Sequence, residues 1–369
     1  MQQERKFDNT LFSTVLALLA FGLIMISSAG VIYSQTRFGD DYYFFKHQLF
    51  FGVIPGLIVL YIFQKIDYRF WKKVAVPFFF TSVIFLIFVF VPGVGSKVYG
   101  ASRWIQLGPF SFQPSEMAKL SIIIYLAAWL ESRGSQRIKD VFEGLLPFLG
   151  IMGLIGFLIM KQPDTGTLGV IILTSFAIFF VSGARISHLL SMAGMGSFGL
   201  WLLIKIEPYR FNRILTFLDP ASDPQGIGYQ INQALLAVGS GGFFGVGLGH
   251  SRQKFNYLPE PVGDSIFAVI GEEIGLIGAA ILVILFVVVA MRGLKVAKNA
   301  PDTFGRLVAV GITMWIILQA FINISANIAL VPLTGIPLPF VSYGGTSLVF
   351  LMAAVGILLN ISKHTHIAE

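Results

Sequence analysis

The feature that most constrains this 369-residue chain is the return, from Leu11 to Ile361, of apolar runs long enough to cross a bilayer. Lipid offers no partner to a backbone N–H or C=O, so such runs must close their hydrogen bonds internally as helices. The alternating pattern of a transmembrane barrel is absent, and only 12% of residues are charged against 55% hydrophobic, which leaves a helical bundle. The expected fold class is therefore an all-α polytopic membrane protein. Its ten spans lie at roughly 11–33, 48–64, 74–94, 115–131, 145–162, 166–184, 188–206, 264–291, 307–331 and 347–361. Residues 1–369 read as a single transmembrane domain. The first run is too long for a signal-peptide core and lacks a small-residue cleavage site, so it reads as a retained helix. With no cysteine in the chain, disulfides and thiolate chemistry are excluded.

An even number of spans puts both termini on one side. Placing them in the cytoplasm gives inner segments with about fifteen Lys and Arg, including Lys65, Arg69, Lys72, Lys73, Arg133, Arg137, Lys139, Arg292, Lys295, Lys298 and Arg306, against about five in the short outer loops. This asymmetry accounts for the net charge of +7 without a nucleic-acid partner. The large loop at about 207–263, between helices 7 and 8, then faces outward. Within it, residues 229–249 read as an amphipathic segment at the interface followed by a glycine-rich one that offers hinges. Those glycines fit neither a Walker loop nor a dinucleotide fingerprint, which excludes nucleotide binding of either kind.

Ionisable residues at the outer boundary are the candidates for chemistry: Arg103, Glu116, Lys119, Lys161, Asp164 and Asp264. Asp264 stands where a proline-bearing polar loop becomes a long apolar helix, a position suited either to a helix cap or to a functional carboxylate beside a membrane cavity. Glu116 and Lys119 are three apart on one helical face and can pair, with a purely structural salt bridge the competing reading. Asp164 lies in a Pro-Gly turn and reads equally as a turn residue. Glu272 and Glu273 point about 80° and 180° away from Asp264 on a helix of 100° per residue, so at least one reads as structural. The histidines, His47, His188, His250, His364 and His366, are scattered without zinc-ligand spacing. A carboxylate at a cavity rim, with Arg103, Arg210, Arg213, Arg252 and Lys254 available as cations, fits a lipid-linked sugar diphosphate. A divalent cation, Mg2+ or Mn2+, could share the diphosphate charge, though no diagnostic ligand set is present and any metal residues stay unassigned.

At these residues the chain resembles the FtsW/RodA/SpoVE, or SEDS, family of cell-wall polymerases over essentially its whole length. The stretches that carry the resemblance are GASRWIQLGPFSFQPSEMAKL, KQPDTGT, RILTFLDPASDPQGIGYQ, GSGGFFGVGLGHSRQKFNYLPEPVGDSIFAVIGEE and PLTGIPLPFVSYGGTS, in the family's order. Val262-Gly263-Asp264-Ser265 stands where many members have His-Thr-Asp-Phe, and Thr165 where QPDLGT has leucine. The wording is closer to the division branch, FtsW, than to the elongation branch, RodA. The resemblance implies ten transmembrane helices in the bacterial cytoplasmic (inner) membrane and an active site facing outside. It also implies polymerisation of lipid II into glycan strands, with Asp264 as the essential aspartate. Glu116, Lys119 and Asp164 match polar positions around the central cavity, and Arg103-Trp104 match the RW pair of an outer loop. Implied partners are a class B penicillin-binding protein transpeptidase and other divisome or elongasome membrane proteins. A lipid II flippase using the same cavity is the main alternative activity, and a non-enzymatic scaffold the third; the chain lacks the internal repeat common in transporters.

Overall fold

The computed structural model describes residues 7–365 except 99–100, 108–109, 207, 221–222, 224–225 and 256. Helix α1 (Asn9–Ala29) starts where the Asp8 carboxylate accepts the Leu11 N–H at 2.9 Å, and α2 (Val31–Phe38) continues it beyond Gly30. The second apolar run is one helical stretch composed of α3 (Tyr43–Gln48), a π-helical turn at Leu49–Val53 and α4 (Ile54–Lys65). Pro55 accounts for the wide turn, since it donates no N–H and its ring pushes the preceding turn away. After α5 (Tyr68–Lys73), α6 (Ala75–Phe88) and α7 (Pro114–Ile138), the same device recurs: a π turn at Val141–Leu145 runs into α8 (Leu146–Lys161), whose second residue is Pro147. The remaining helices are α9 (Thr165–Val181), α10 (Ile186–Ile206), α11 (Pro208–Leu218), α12 (Ile227–Ser240), α13 (Ile266–Lys298), α14 (Thr303–Asn327) and α15 (Gly345–Lys363).

Among the described residues six helical stretches are long and apolar enough to cross a membrane: Asn9–Ala29, Tyr43–Lys65, Val141–Lys161, Ile266–Lys298, Thr303–Asn327 and Gly345–Lys363. Ala75–Phe88 and Thr165–Val181 are apolar but shorter. The expected all-α character holds with one addition, a three-stranded antiparallel sheet of β1 (Gly95–Val98), β2 (Ala101–Leu107) and β3 (Phe110–Phe112). Sequence reading passed over it because its strands are too short to show a period. Thr346 ties it to the start of α15 by donating to Ser111 O at 2.6 Å.

The centre of the bundle is α14, which packs on α7, α9 and α13, while α15 lies along α4. Antiparallel α1 and α13 are pinned at both ends. At one, Asp8 pairs with Arg292 at 2.7 Å and its N–H donates to Ser362 Oγ; at the other, Ser28 Oγ donates to the Glu273 carboxylate at 2.6 Å.

Helix α13 is broken at Gly275, whose φ of 70° is left-handed. A break inside lipid would strand backbone groups at several kcal/mol each, on the order of the cost of an unmade hydrogen bond in hydrocarbon. The glycine run after α12 fills it. Val246 and Gly247 donate their N–H groups to the carbonyls of Glu272 and Glu273 at 2.9 and 3.0 Å, and Leu276 and Ile277 donate to those of Gly242 and Phe243 at 2.9 and 3.2 Å. A Cβ on Gly241 would sit 1.9 Å from Gly271 O, and one on Gly245 2.2 Å from Glu273 O. Two of the glycines expected to offer hinges, Gly241 and Gly245, thus serve close approach at a packed junction, while Gly239, Gly242 and Gly249 have open space around them.

Candidate active site

Residues 262–265, just before α13, are tied down one after another. Val262 O accepts the Tyr343 N–H at 2.8 Å, and Gly263 O accepts Ser342 Oγ at 2.7 Å. Asp264 O accepts the side-chain amides of both Asn323 and Asn327 at 2.8 Å, and Ser265 Oγ accepts Gln230 Nε2 at 3.1 Å. Helix α14 and the loop from Thr334 to Gly344 therefore fix the backbone of this turn, and α12 holds its Ser265 side chain. None of these three elements bonds the Asp264 carboxyl, which is met only locally by its own N–H and the Ser265 hydroxyl; its Oδ1 is buried without a hydrogen-bond partner, although the residue as a whole is partly open. Ser265, not Asp264, occupies the N-cap position, and no side chain caps the helix. The competing reading of Asp264 as a cap is set aside by that geometry.

Burial is the main reason the Asp264 carboxyl is pushed up to about 6 and the negative charge of Glu260 adds to it, while its own backbone N–H, then Arg213 on α11 and the Ser265 hydroxyl, oppose both. Glu260 lies between two prolines with a left-handed φ of 48°, rare for a residue with a side chain. Its carbonyl accepts the N–H groups of Gly263 and Ser265, and its carboxylate accepts Tyr33 Oη at 3.2 Å. Strain at one residue of a turn otherwise held by hydrogen bonds marks a place where geometry is imposed by the surroundings. The local signal was the Pro-Glu-Pro sequence, which stiffens the approach to Asp264. Asn323 and Asn327 were also missed; two amides one turn apart in an apolar helix are the sign that could have found them.

Glu116 and Lys119 form the expected pair, at 2.8 Å with 2% and 3% side-chain exposure. Lys119 also donates to Gln319 Oε1 at 2.9 Å and stands 5.0 Å from the Trp315 ring centroid, while Gln319 donates onward to Pro337 O at 2.9 Å. Pro337 lies in the same loop whose Ser342 holds Gly263, so the pair and the Asp264 turn share one support. Glu116 Oε2 is buried without a partner. The 161–167 turn leans on that loop as well, since a Cβ on Gly166 would come within 2.7 Å of Thr334 O. Asp164 caps α9 by accepting the Thr167 N–H at 3.2 Å. Arg103 clamps this turn through Gln162 O at 3.0 Å and Pro163 O at 2.6 Å.

Other candidates lie apart. Lys254 is buried in an ion pair with Glu273 at 2.9 Å, with Ser28 as a further partner. Trp104 is half-buried on β2 opposite Ser96. The Arg210 side chain is outside the described residues. Arg213 is the loop cation that the structure brings to Asp264. Among the described residues no three or more His, Cys, Asp and Glu converge as a metal site. The arrangement can hold one carboxylate as a proton acceptor in a rigid, partly dry mouth, with a guanidinium beside it.

Residues 9–367 match the model of the FtsW/RodA/SpoVE family, described as a cell cycle protein. Stage V sporulation protein E of Bacillus subtilis (strain 168) is 44% identical over 358 residues, 97% of each chain. The probable peptidoglycan glycosyltransferase FtsW of Geobacter sp. (strain M18) is 39% identical over 362 residues, 98% of each. Among solved structures, a chain from work on structural coordination of polymerization and crosslinking by a peptidoglycan synthase complex superposes with a TM-score of 0.79 at 28% identity, covering 98% of both chains. The rod shape determining protein RodA of Thermus thermophilus gives 0.71 at 28% identity and the same coverage.

Proposed function

The chain belongs to the FtsW/RodA/SpoVE family, and we propose that it is a peptidoglycan glycosyltransferase that polymerises lipid II. The observation that carries the reading is Asp264: a carboxyl pushed up to about 6 with a buried, unpartnered oxygen, on a turn whose carbonyls from Val262 to Asp264 are each held by a neighbouring element. A base needs to be ionised at working pH yet hold a proton well enough to take one, and a pKa near 6 meets both demands. Asp264 accepts the proton of the acceptor sugar hydroxyl; that oxygen bonds to the donor's anomeric carbon as the carbon–diphosphate bond breaks, its electron pair leaving on the diphosphate. Arg213 lies on the same mouth, where its charge offsets that of the departing group. Glu116, Lys119, Asp164 and Arg103 act from behind as supports of the shared loop.

The chain is a multi-pass membrane protein. We infer that it crosses the bacterial cytoplasmic membrane ten times with both termini inside, because the Lys and Arg of the short connections crowd the end of the bundle opposite Asp264, leaving the mouth outside. A class B penicillin-binding protein fits as partner, given the similarity to a chain of a polymerising and crosslinking complex. A divalent cation would arrive with the diphosphate, with Asp264 and Glu260 the carboxylates at the mouth. The test is purified protein, with and without such a partner, given labelled lipid II and read on a gel. Glycan chains are expected, reduced by chelation if a cation takes part; lipid movement without polymer would replace polymerisation by transport.

A further inference from the structure

Glu260 has a second surroundings besides Asp264. It lines a cleft of about 200 Å3 between α2, the start of α12 and the loop that descends to α13, together with Tyr33, Arg37, Tyr229, Lys254 and Tyr257. At about 30 Å3 per liquid water this is the room of six or seven waters, enough for one sugar ring. Tyr33 is a fixed wall. Phe44 stacks on its ring at 5.4 Å and 15°, the Arg37 guanidinium stands 4.3 Å from its centroid, and its hydroxyl donates to Glu260. Tyr257 is 56% exposed and offers an aromatic surface beside that wall.

An open aromatic face next to a positioned carboxylate and guanidinium is the chemistry that recognises a saccharide: the ring covers C–H groups while the charged groups meet hydroxyls and amides. A diphosphate fits less well. The Lys254 charge is matched by Glu273 at 2.9 Å, so the remaining charges on the lining are one cation, Arg37, and one anion, Glu260, with no surplus of positive charge. The hydrogen bonds from Gly263 and Ser265 to Glu260 O set the cleft wall and Asp264 on one turn. We propose that this cleft is the acceptor-side saccharide subsite, which grips a sugar of the strand whose hydroxyl Asp264 deprotonates; this rests on the glycosyltransferase reading above.

The test uses the purified full chain and a soluble tetrasaccharide of alternating N-acetylglucosamine and N-acetylmuramic acid, without lipid or diphosphate, followed by saturation-transfer NMR. Wild type and Asp264→Asn should bind it alike, and Tyr257→Ala should bind about fivefold more weakly. In polymerisation Tyr257→Ala should raise the apparent KM for lipid II by a similar factor and shorten the chains, with kcat changed by less than about twofold. Displacement of the tetrasaccharide by inorganic diphosphate would reassign the cleft to the leaving group and overturn the proposal. Unchanged binding and chain length in Tyr257→Ala, from a wild type that polymerises, would sink the subsite and spare the enzyme. Tyr257-dependent binding by a protein and partner that make no polymer would do the reverse.

Discussion

Helix α13 carries two sets of carboxylates, Asp264 just before its first turn and Glu272–Glu273 at its break, and they are treated in opposite ways. At the break nothing is left over. Glu272 accepts Ser251 Oγ and the Arg252 N–H, and Glu273 accepts Lys254 Nζ, Ser28 Oγ and the Ser251 N–H. At the mouth the neighbouring helix bonds the backbone, and the carboxylate, met only by its own N–H and Ser265, keeps a buried oxygen with no partner. Satisfied charge is what builds a junction in lipid; unsatisfied charge on a rigid support is what reacts.

The largest effect should come from Asp264→Asn. Loss of a general base costs about 10²–10⁴-fold in rate, measured as polymer per unit time from labelled lipid II. The same change should leave the protein as stable or more so. A carboxyl raised from 3.8 to about 6 binds its proton more tightly folded than unfolded, so stability falls as pH rises from about 4 to about 6 and the full penalty is present, and constant, above 6. The neutral amide removes that penalty, worth on the order of 1–2 kcal/mol after allowing for partial exposure. Polymerisation at wild-type rate would erase the contrast between mouth and break.

The opposite result is expected at the break. Lys254→Met leaves Glu273 buried without its cation and should lower stability by about 3–5 kcal/mol, read by thermal melts in detergent. The double change with Glu273→Gln should recover much of it. If melts are unmoved while polymerisation collapses, Lys254 belongs to the chemistry, and the two ends of the comparison are one site.

How far this division was legible in sequence differs between the two ends. The helical bundle followed from the apolar runs, because lipid permits little else. Asp264 stood out through its place before a long apolar helix, and Glu116–Lys119 through spacing alone, since i,i+3 on a helix fixes proximity. Lys254 was legible as a cation of the outer loop, expected to meet a diphosphate, but its partner was not: the pairing with Glu273 depends on how the loop folds onto the broken helix. The break was hidden for the same reason. A left-handed glycine inside an apolar run leaves the hydropathy unchanged, and its hydrogen bonds come from some thirty residues upstream. Glu260 was overlooked because sequence shows a charge between prolines but not the conformation that aims it.

Glu116–Lys119 tests which side of the contrast the membrane interior falls on. Like the break it is paired, and like the mouth it keeps an orphaned oxygen, Glu116 Oε2. Lys119→Ala should harm stability more than the double change with Glu116→Gln, with a coupling of about 1–3 kcal/mol. Strictly additive melts would mean that Gln319 and Trp315, rather than Glu116, hold the lysine in place.

The smallest expected effect is the most specific to the mouth. Polymerisation needs ionised Asp264, so the rate should rise with pH through about 6 and level off above it. Burial is the first cause of that position and Glu260 the second, so removing the Glu260 charge lowers the pKa without returning it to the ordinary carboxylate range. Glu260→Gln should therefore move the acidic limb down by less than about one pH unit, each unit being about 1.4 kcal/mol, while the amide can still accept the Tyr33 hydroxyl. Above pH 7 the variant should be somewhat slower, because a weaker base takes the proton less readily. A limb that stays where it is would leave burial alone to set Asp264, and one that moves up would mean Glu260 had been supporting the charged form. The first outcome would reduce Glu260 to a wall of the neighbouring cleft, and the second would reverse the sign of its link to Asp264.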